Sequence, residues 1–250
     1  MFKGFYNLTS GVLTHQRNLD VIANNMTNIS TPGYKQTRYT ATTFDEVMYS
    51  RVGNKDSKGP EIGKQSYIRA TSEITTDFTQ GALQQTGYPL DFAIEGKGFF
   101  AIETLEGETG YTRSGNFSLD DMGYLCMPGI GYVLDPDGQR IQLETDKIFA
   151  NSEGVIYTED GMPAARLGLV DFPEETNLDD RSPMGLILAE NGQPAENCRI
   201  HHGYVERSNT DAVKQMTEMI TYQRSLQSAA SVMKMYDNLM TKATGEIGKM

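Results

Sequence analysis

Apolar residues recur through the first thirty positions at alternating spacings of three and four. The seam runs Phe5, Leu8, Val12, His15, Leu19, Ile22, Met26 and Ile29, while Thr9, Gln16, Arg17, Asp20 and Asn24 fall off it. Such spacing is the narrow stripe of a coiled-coil helix. At about 1.5 Å of rise per residue that helix would be roughly 40 Å long. Ser30-Thr31-Pro32-Gly33 is predicted to end it, because proline cannot continue the hydrogen-bond ladder and Pro-Gly suits a tight turn.

The opposite end repeats the pattern. Met219, Tyr222, Leu226, Ala229, Met233, Tyr236 and Met240 keep the same spacing, and Val232, Met235 and Leu239 form a neighbouring stripe expected to widen the apolar face. Ser208-Asn209-Thr210-Asp211 resembles a capping box at the start of this helix. Five methionines on it suit an adaptable interface, and ordinary helix packing explains any one of them equally well.

Between the helices, short runs rich in Val, Ile, Phe, Tyr and Thr are broken by Gly, Asp and Pro. Leu90–Ile102, Gly131–Leu134, Val155–Thr158, Arg166–Phe172 and Gly185–Leu188 read as strands of antiparallel structure. The glycine-rich, charged stretch Arg51–Lys64 reads as a loop. The expected class is therefore α+β. Residues 1–35 with 206–250 form a coiled-coil-like helical domain, 36–65 a connector, and 66–205 a mainly antiparallel β domain.

A single narrow seam buries too little to hold a helix alone in water. Each terminal helix must pack on the other end of the chain or on another molecule, and the pattern leaves both open. Leu8, Val12, Leu19, Ile22 and Met26 are expected to meet Met219, Leu226, Met233 or Met240 of the same or a neighbouring copy. Asn24, Asn25 and Asn28 are poor helix formers and read as polar contacts that fix register, or as a solvated helix end. The residues expected to make an assembly interface are thus Phe5, Leu8, Val12, Leu19, Ile22, Asn24, Asn25, Met26, Asn28, Ile29, Met219, Tyr222, Leu226, Met233, Tyr236 and Met240.

Charge narrows the range of partners. With 22 Lys and Arg against 33 Asp and Glu, the net charge of −11 argues against nucleic acid and against an anionic membrane surface. No apolar run approaches the ~20 residues that a membrane span needs, so no membrane insertion is expected. Residues 1–10 lack the apolar core and small-residue cleavage site of a secretory signal.

Motifs for chemistry are missing, and no enzyme, cofactor or metal is expected. Two cysteines, Cys126 and Cys198, make no framework and fit no zinc spacing; they are a disulfide or two separate thiols. His201 and His202 would point to opposite faces of a strand and cannot converge on one ion. Gly96-Lys97-Gly98 reads as a hairpin turn, and Asp120-Asp121-Met122-Gly123 and Asp135-Pro136-Asp137-Gly138 as turns rather than calcium loops.

Several blocks resemble the rod and hook axial proteins of the bacterial flagellum. They are Leu19-Asp20-Val21-Ile22-Ala23-Asn24-Asn25-Met26-Thr27-Asn28 with Ser30-Thr31-Pro32-Gly33-Tyr34-Lys35, the segments 86–100 and 111–120, and Ser208-Asn209 with Glu218-Met219-Ile220 and Gln223-Arg224. Thr27 departs from the family's usual alanine and Leu226 from its usual aromatic, which alters local packing. Within the family, Phe78–Gly87 is similar to members of the distal rod, while the length of 250 suits proximal members equally.

The resemblance implies a structural subunit that polymerises into a hollow helical tube and transmits torque from motor to hook. It also implies terminal helices lining an inner channel, with seams that serve as contacts between subunits. Implied partners are further copies of the chain, other rod and hook axial subunits, and the flagellar type III export apparatus. The implied location is the basal-body rod crossing the envelope, reached without a cleaved signal. The alternatives are a hook-type subunit or another exported structural protein and, more remotely, an enzyme with a helical dimerisation arm.

Overall fold

The computed structural model describes residues 2–43, 47–50, 61–65, 69–173, 176, 178–179, 185–195 and 198–247. The chain divides into two compact units. One comprises Met1–Thr27, Thr37–Thr75 and Asp211–Met250, the other Asn28–Gln36 and Thr76–Thr210.

Two helices dominate the first unit, α1 (Phe2–Thr27) and α2 (Ala212–Ile247). No proline or glycine interrupts α2 before Gly245. Its start is capped by Asp211, whose Oδ1 accepts from the backbone N–H of Val213 (2.9 Å) and Lys214 (3.2 Å). The cap therefore falls at the last residue of the expected capping box. Ser208 instead closes a small turn, its Oγ donating to Thr210 Oγ1 (3.0 Å) and accepting from the Thr210 N–H (3.2 Å).

The expected connector 36–65 is not a plain loop where it is described. Thr37–Thr43 pairs with Arg69–Thr76, and Val47–Ser50 pairs antiparallel with Glu61–Gln65. The β-branched residues of Thr-Arg-Tyr-Thr-Ala-Thr-Thr favour that extended backbone. Arg51–Pro60, most of the glycine-rich stretch, lies outside the described residues, and Glu61–Lys64 is strand.

α1 ends at Thr27, and Asn28 to Gly33 form turns seated in the second unit. Ile29, counted above as the last seam residue, is therefore beyond the helix and half-buried in that unit. Gly33 has φ +69°, and a Cβ on it would lie 2.3 Å from the Ser114 nitrogen, so only glycine fits. Its N–H donates to Glu206 O at 2.7 Å.

The second unit is built on antiparallel pairs. Strand Phe99–Thr104 is its hub, bonded to Leu169–Asp171, Gly131–Val133 and Thr109–Thr112; Leu125–Met127, Ser118–Leu119 and Gln193–Pro194 extend the same sheet. Phe92–Gly96 pairs separately with Cys198–His202, and Leu83–Gln85 with Tyr204–Glu206. Ile148–Ala150, Val155–Thr158 and Pro163–Arg166 form a third sheet.

Alternation along the hub fills two cores. Phe100 and Ile102 face Phe92, Ile94, Leu125, Val133, Ile156 and Leu167, while Phe99 faces Phe172 and Ile187. Full burial of each such side chain is worth about 1.5–3 kcal/mol. Gly115 marks the tightest approach, since a Cβ there would stand 1.8 Å from Phe92 O.

Two local expectations change. Gly96-Lys97-Gly98 is no hairpin, because the strands on either side of it lie in different sheets. Gly96 (φ +102°) and Gly98 (φ +138°) turn the chain from one to the other. Among the described residues Gly185–Leu188 makes one bridge, Ile187 to Tyr111, with backbone bonds of 2.9 and 2.8 Å. Asp120 and Asp135 behave as turn residues, each Oδ1 accepting two backbone N–H groups.

Candidate assembly interface

α1 and α2 pair antiparallel within one chain. Asn25 of α1 meets Gln215 at the start of α2; His15 stacks 5.8 Å from Tyr222; Phe5 and Tyr6 share a cleft of about 360 Å³ with Tyr236, Asp237 and Met240. The seams face each other. On α2, Gln215 is buried and Met219, Tyr222, Leu226, Ala229, Met233, Tyr236 and Met240 are half-buried, while most residues between them are exposed. On α1, Ile22 is 5% exposed, Leu8, Val12, Leu19 and Met26 are half-buried, and Phe5 is exposed. The neighbouring stripe behaves otherwise: Val232, Met235 and Leu239 are open to solvent and do not widen the face that α1 covers.

The three asparagines separate in role. Asn25 is 1% exposed, and its amide imitates a strand neighbour. Nδ2 donates to Thr37 O at 2.8 Å, and Oδ1 accepts from the Thr37 N–H at 3.0 Å and Oγ1 at 3.2 Å. A longer bond of 3.4 Å joins Nδ2 to Gln215 Oε1. This one side chain thus ties the end of α1, the following strand and the start of α2 in a single register. Asn24 is exposed, and Asn28 lies in the turn that follows, where its Oδ1 accepts from Thr31 Oγ1 at 3.2 Å.

Both chain segments that adjoin the helices are held inside the β unit by a buried ionic cluster, which inspection of the sequence missed. Lys35 Nζ donates to Glu206 Oε1 at 2.5 Å and to Thr79 O at 2.8 Å. Glu206 Oε1 also accepts the Gly81 N–H at 2.8 Å. Arg113 Nη1 lies 3.6 Å from Glu206 Oε2, and its guanidinium sits 5.1 Å from the Phe99 ring centre. All three charged residues are nearly inaccessible.

Burial pulls the Lys35 ammonium below its usual range, and the Glu206 carboxylate partly restores it. Burial likewise lowers Arg113, with Glu206 opposing. Beside them, Asn209 Oδ1 accepts the Gln36 N–H (2.7 Å) while its Nδ2 donates to Asp77 O (2.7 Å). No short motif announces this cluster, because its members come from three distant stretches.

His201 and His202 point apart, to Glu95 Oε2 (2.8 Å) and Pro89 O (2.7 Å). The His201 bond and its charge hold the Glu95 carboxyl below the usual carboxylate range. Cys126 and Cys198 are free thiols, and burial pushes Cys198 upward. Among the described residues no cluster of His, Cys, Asp or Glu is arranged to hold a metal ion, and no helix is long and apolar enough to cross a membrane.

A paired set of terminal helices and a β unit that grips both adjoining segments define a structural protein whose residues serve packing. Comparison with known proteins agrees along the chain. Residues 5–35 match the family described as flagella basal body rod protein, 93–177 the flagellar hook protein FlgE/F/G D1 domain, and 201–246 the flagellar basal body rod FlgEFG protein C-terminal. The flagellar basal-body rod protein FlgG of Bacillus subtilis (strain 168) is 34% identical over 96% of this chain and 97% of its own. FlgG of Caulobacter vibrioides is 32% identical over 95% and 96%, and the rod protein FlgF of Mesorhizobium japonicum 31% over 99% of each. The chain belongs to the flagellar basal-body rod protein family, which is structural and not enzymatic.

Proposed function

We propose that this chain polymerises through its helical unit into a hollow rod that transmits torque, together with other rod and hook subunits. It reaches that rod through the flagellar export apparatus. The observation that carries this reading is the helix pair itself: two long helices close a seam on each other and still leave Tyr6, Leu13, Val213, Met216, Ile220, Val232, Met235 and Leu239 in solvent. A finished monomer rarely leaves so much apolar surface unpartnered. The similarity to FlgG relatives and the phrase Phe78–Gly87 favour the distal rod.

The assembly residues proposed from the sequence act in two ways. Leu8, Val12, Leu19, Ile22, Met26, Met219, Tyr222, Leu226, Met233, Tyr236 and Met240 hold the helix pair, and that pair presents the outer apolar residues to neighbours. Ile22→Asp places a charge in the pair and should abolish assembly of the purified chain, read by electron microscopy and sedimentation, with the β unit still folded. A variant that built rods as well as the parent would refute the reading.

A further inference from the structure

Asn28–Gln36 belongs to the β unit but is held there by polar contacts. Among the described residues, neither apolar core takes a side chain from this segment. Ile29, Pro32 and Tyr34 are half-buried, while Lys35 and Gln36 are buried. Gly33 and Lys35 bond to Glu206, and Gln36 bonds to Asn209 through its N–H and to the Asp77 N–H (2.8 Å) through its carbonyl.

The strand that this segment grips is itself lightly held. Tyr204–Glu206 pairs with Leu83–Gln85 in a two-stranded sheet. Its ends are closed by the Arg207 N–H on Ala82 O (2.9 Å) and the Thr86 N–H on Gly203 O (2.9 Å). A two-stranded pair is marginal by itself. Cys198–His202, by contrast, sends Ile200 into the main core.

The ionic cluster at this junction is incompletely matched. Arg113 Nε and Nη1 and Glu206 Oε2 are buried with no hydrogen-bond partner among the described residues. Beside them lies a cleft of about 190 Å³, lined by Ile29, Ser30 and Pro32 together with Gln84, Val205 and Ser208. Opening would return the orphaned groups to water, which offsets part of the bonding that is lost.

The chain passes between its two units at 27–28, 36–37, 75–76 and 210–211. Gln36, Asp77 and Asn209 stand next to three of these crossings and bond to one another in a ring, the Asn209 Nδ2 donating to Asp77 O at 2.7 Å.

We infer that Asn28–Gln36, Leu83–Gln85 and Tyr204–Glu206 form a clasp that opens and closes as one while the rest of the β unit stays folded. Closed, it gathers three crossings at one point. Open, it leaves a folded β unit tethered to the helical unit by loose chain. The clasp is independent of the polymer reading, since every contact in it lies within the β unit of one molecule.

Hydrogen exchange on the full chain, resolved to single amides, tests this. The reporters are the amides of Gly33, Gln36, Gly81, Thr86 and Arg207, and the reference is the hub strand Phe99–Thr104. In the parent the reporters should share one opening that is easier than that of the hub. Gly33→Ala should speed the other reporters together by about tenfold or more and leave the hub unchanged. A staple should do the reverse. Ser30 and Gln84 are exposed and line the same cleft. Ser30→Cys and Gln84→Cys, in a chain with Cys126 and Cys198 changed to Ser, are joined by a short bis-maleimide. Joining should slow the reporters by about tenfold or more against the same chain unjoined.

A Gly33→Ala chain in which Thr86 and Arg207 exchange as in the parent would reduce the segment to a passive cover and overturn the clasp. A hub that speeds up equally with the reporters would show that the β unit opens only as a whole, and would overturn it too. So would a staple that fails to form, or one that forms and slows nothing.

Discussion

Glu206 accepts a hydrogen bond from Lys35 across 171 positions of sequence, inside a site that solvent scarcely reaches. Lys35 lies on the segment after α1 and Glu206 on the strand before α2. With Arg113 as a third member, one carboxylate offsets two buried cations. Glu206→Gln would remove the counter-charge that Lys35 and Arg113 share at closest range. It should cost the β unit about 3–5 kcal/mol, the usual effect of breaking a buried pair from one side. Hydrogen exchange resolved by segment would measure it, and a loss below about 1 kcal/mol would contradict the assignment.

Lys35 carries a pH signature. Its folded pKa is lowered from 10.5, so between the folded value and 10.5 the unfolded chain binds more protons than the folded one. Stability from this group must therefore rise with pH through that window, opposite to a lysine that gains an exposed partner. Lys35→Met should remove the slope and should be tolerated better than Glu206→Gln, because Arg113 still faces the carboxylate. Parallel melting curves for parent and variant across the alkaline range would argue against it.

Asn25→Ala should destabilise the helical unit by about 2–3 kcal/mol, since it orphans the N–H and C=O of Thr37 inside the unit. Urea unfolding followed at 222 nm would report it.

Gly33→Ala combines a left-handed backbone with a clash against the Arg113–Ser114 backbone. A cost of about 3 kcal/mol follows from strain and overpacking together. Limited proteolysis should then cut near Pro32–Lys35 faster than in the parent, where Lys35 is buried.

Assembly should strengthen with salt. The β unit holds 23 Asp and Glu against 9 Lys and Arg, and this net −14 opposes the gathering of copies. The Debye length falls from about 10 Å at 0.1 M to about 3 Å at 1 M. Light scattering across that range should show the threshold concentration dropping; a rise would mean that ion pairs between copies dominate.

The sequence by itself determined the periodic parts of this protein. A helix that buries one stripe must repeat it every three or four residues, so Leu8 to Met26 and Met219 to Met240 announce both the helices and the faces they cover. Strand Phe99–Thr104 showed its hydrophobic character, and Asp120 and Asp135 their turns, because those preferences are local.

Only the tertiary structure decided what is non-local. The two seams close on each other within one chain, a choice that identical stripes leave open. Gly96-Lys97-Gly98 passes between sheets, because strand pairing depends on neighbours far along the chain. Val232, Met235 and Leu239 face solvent, because α1 covers only one side of α2. Lys35, Arg113 and Glu206 become one buried cluster only when three separate segments converge, and burial is what turns ordinary surface-type charges into a clasp.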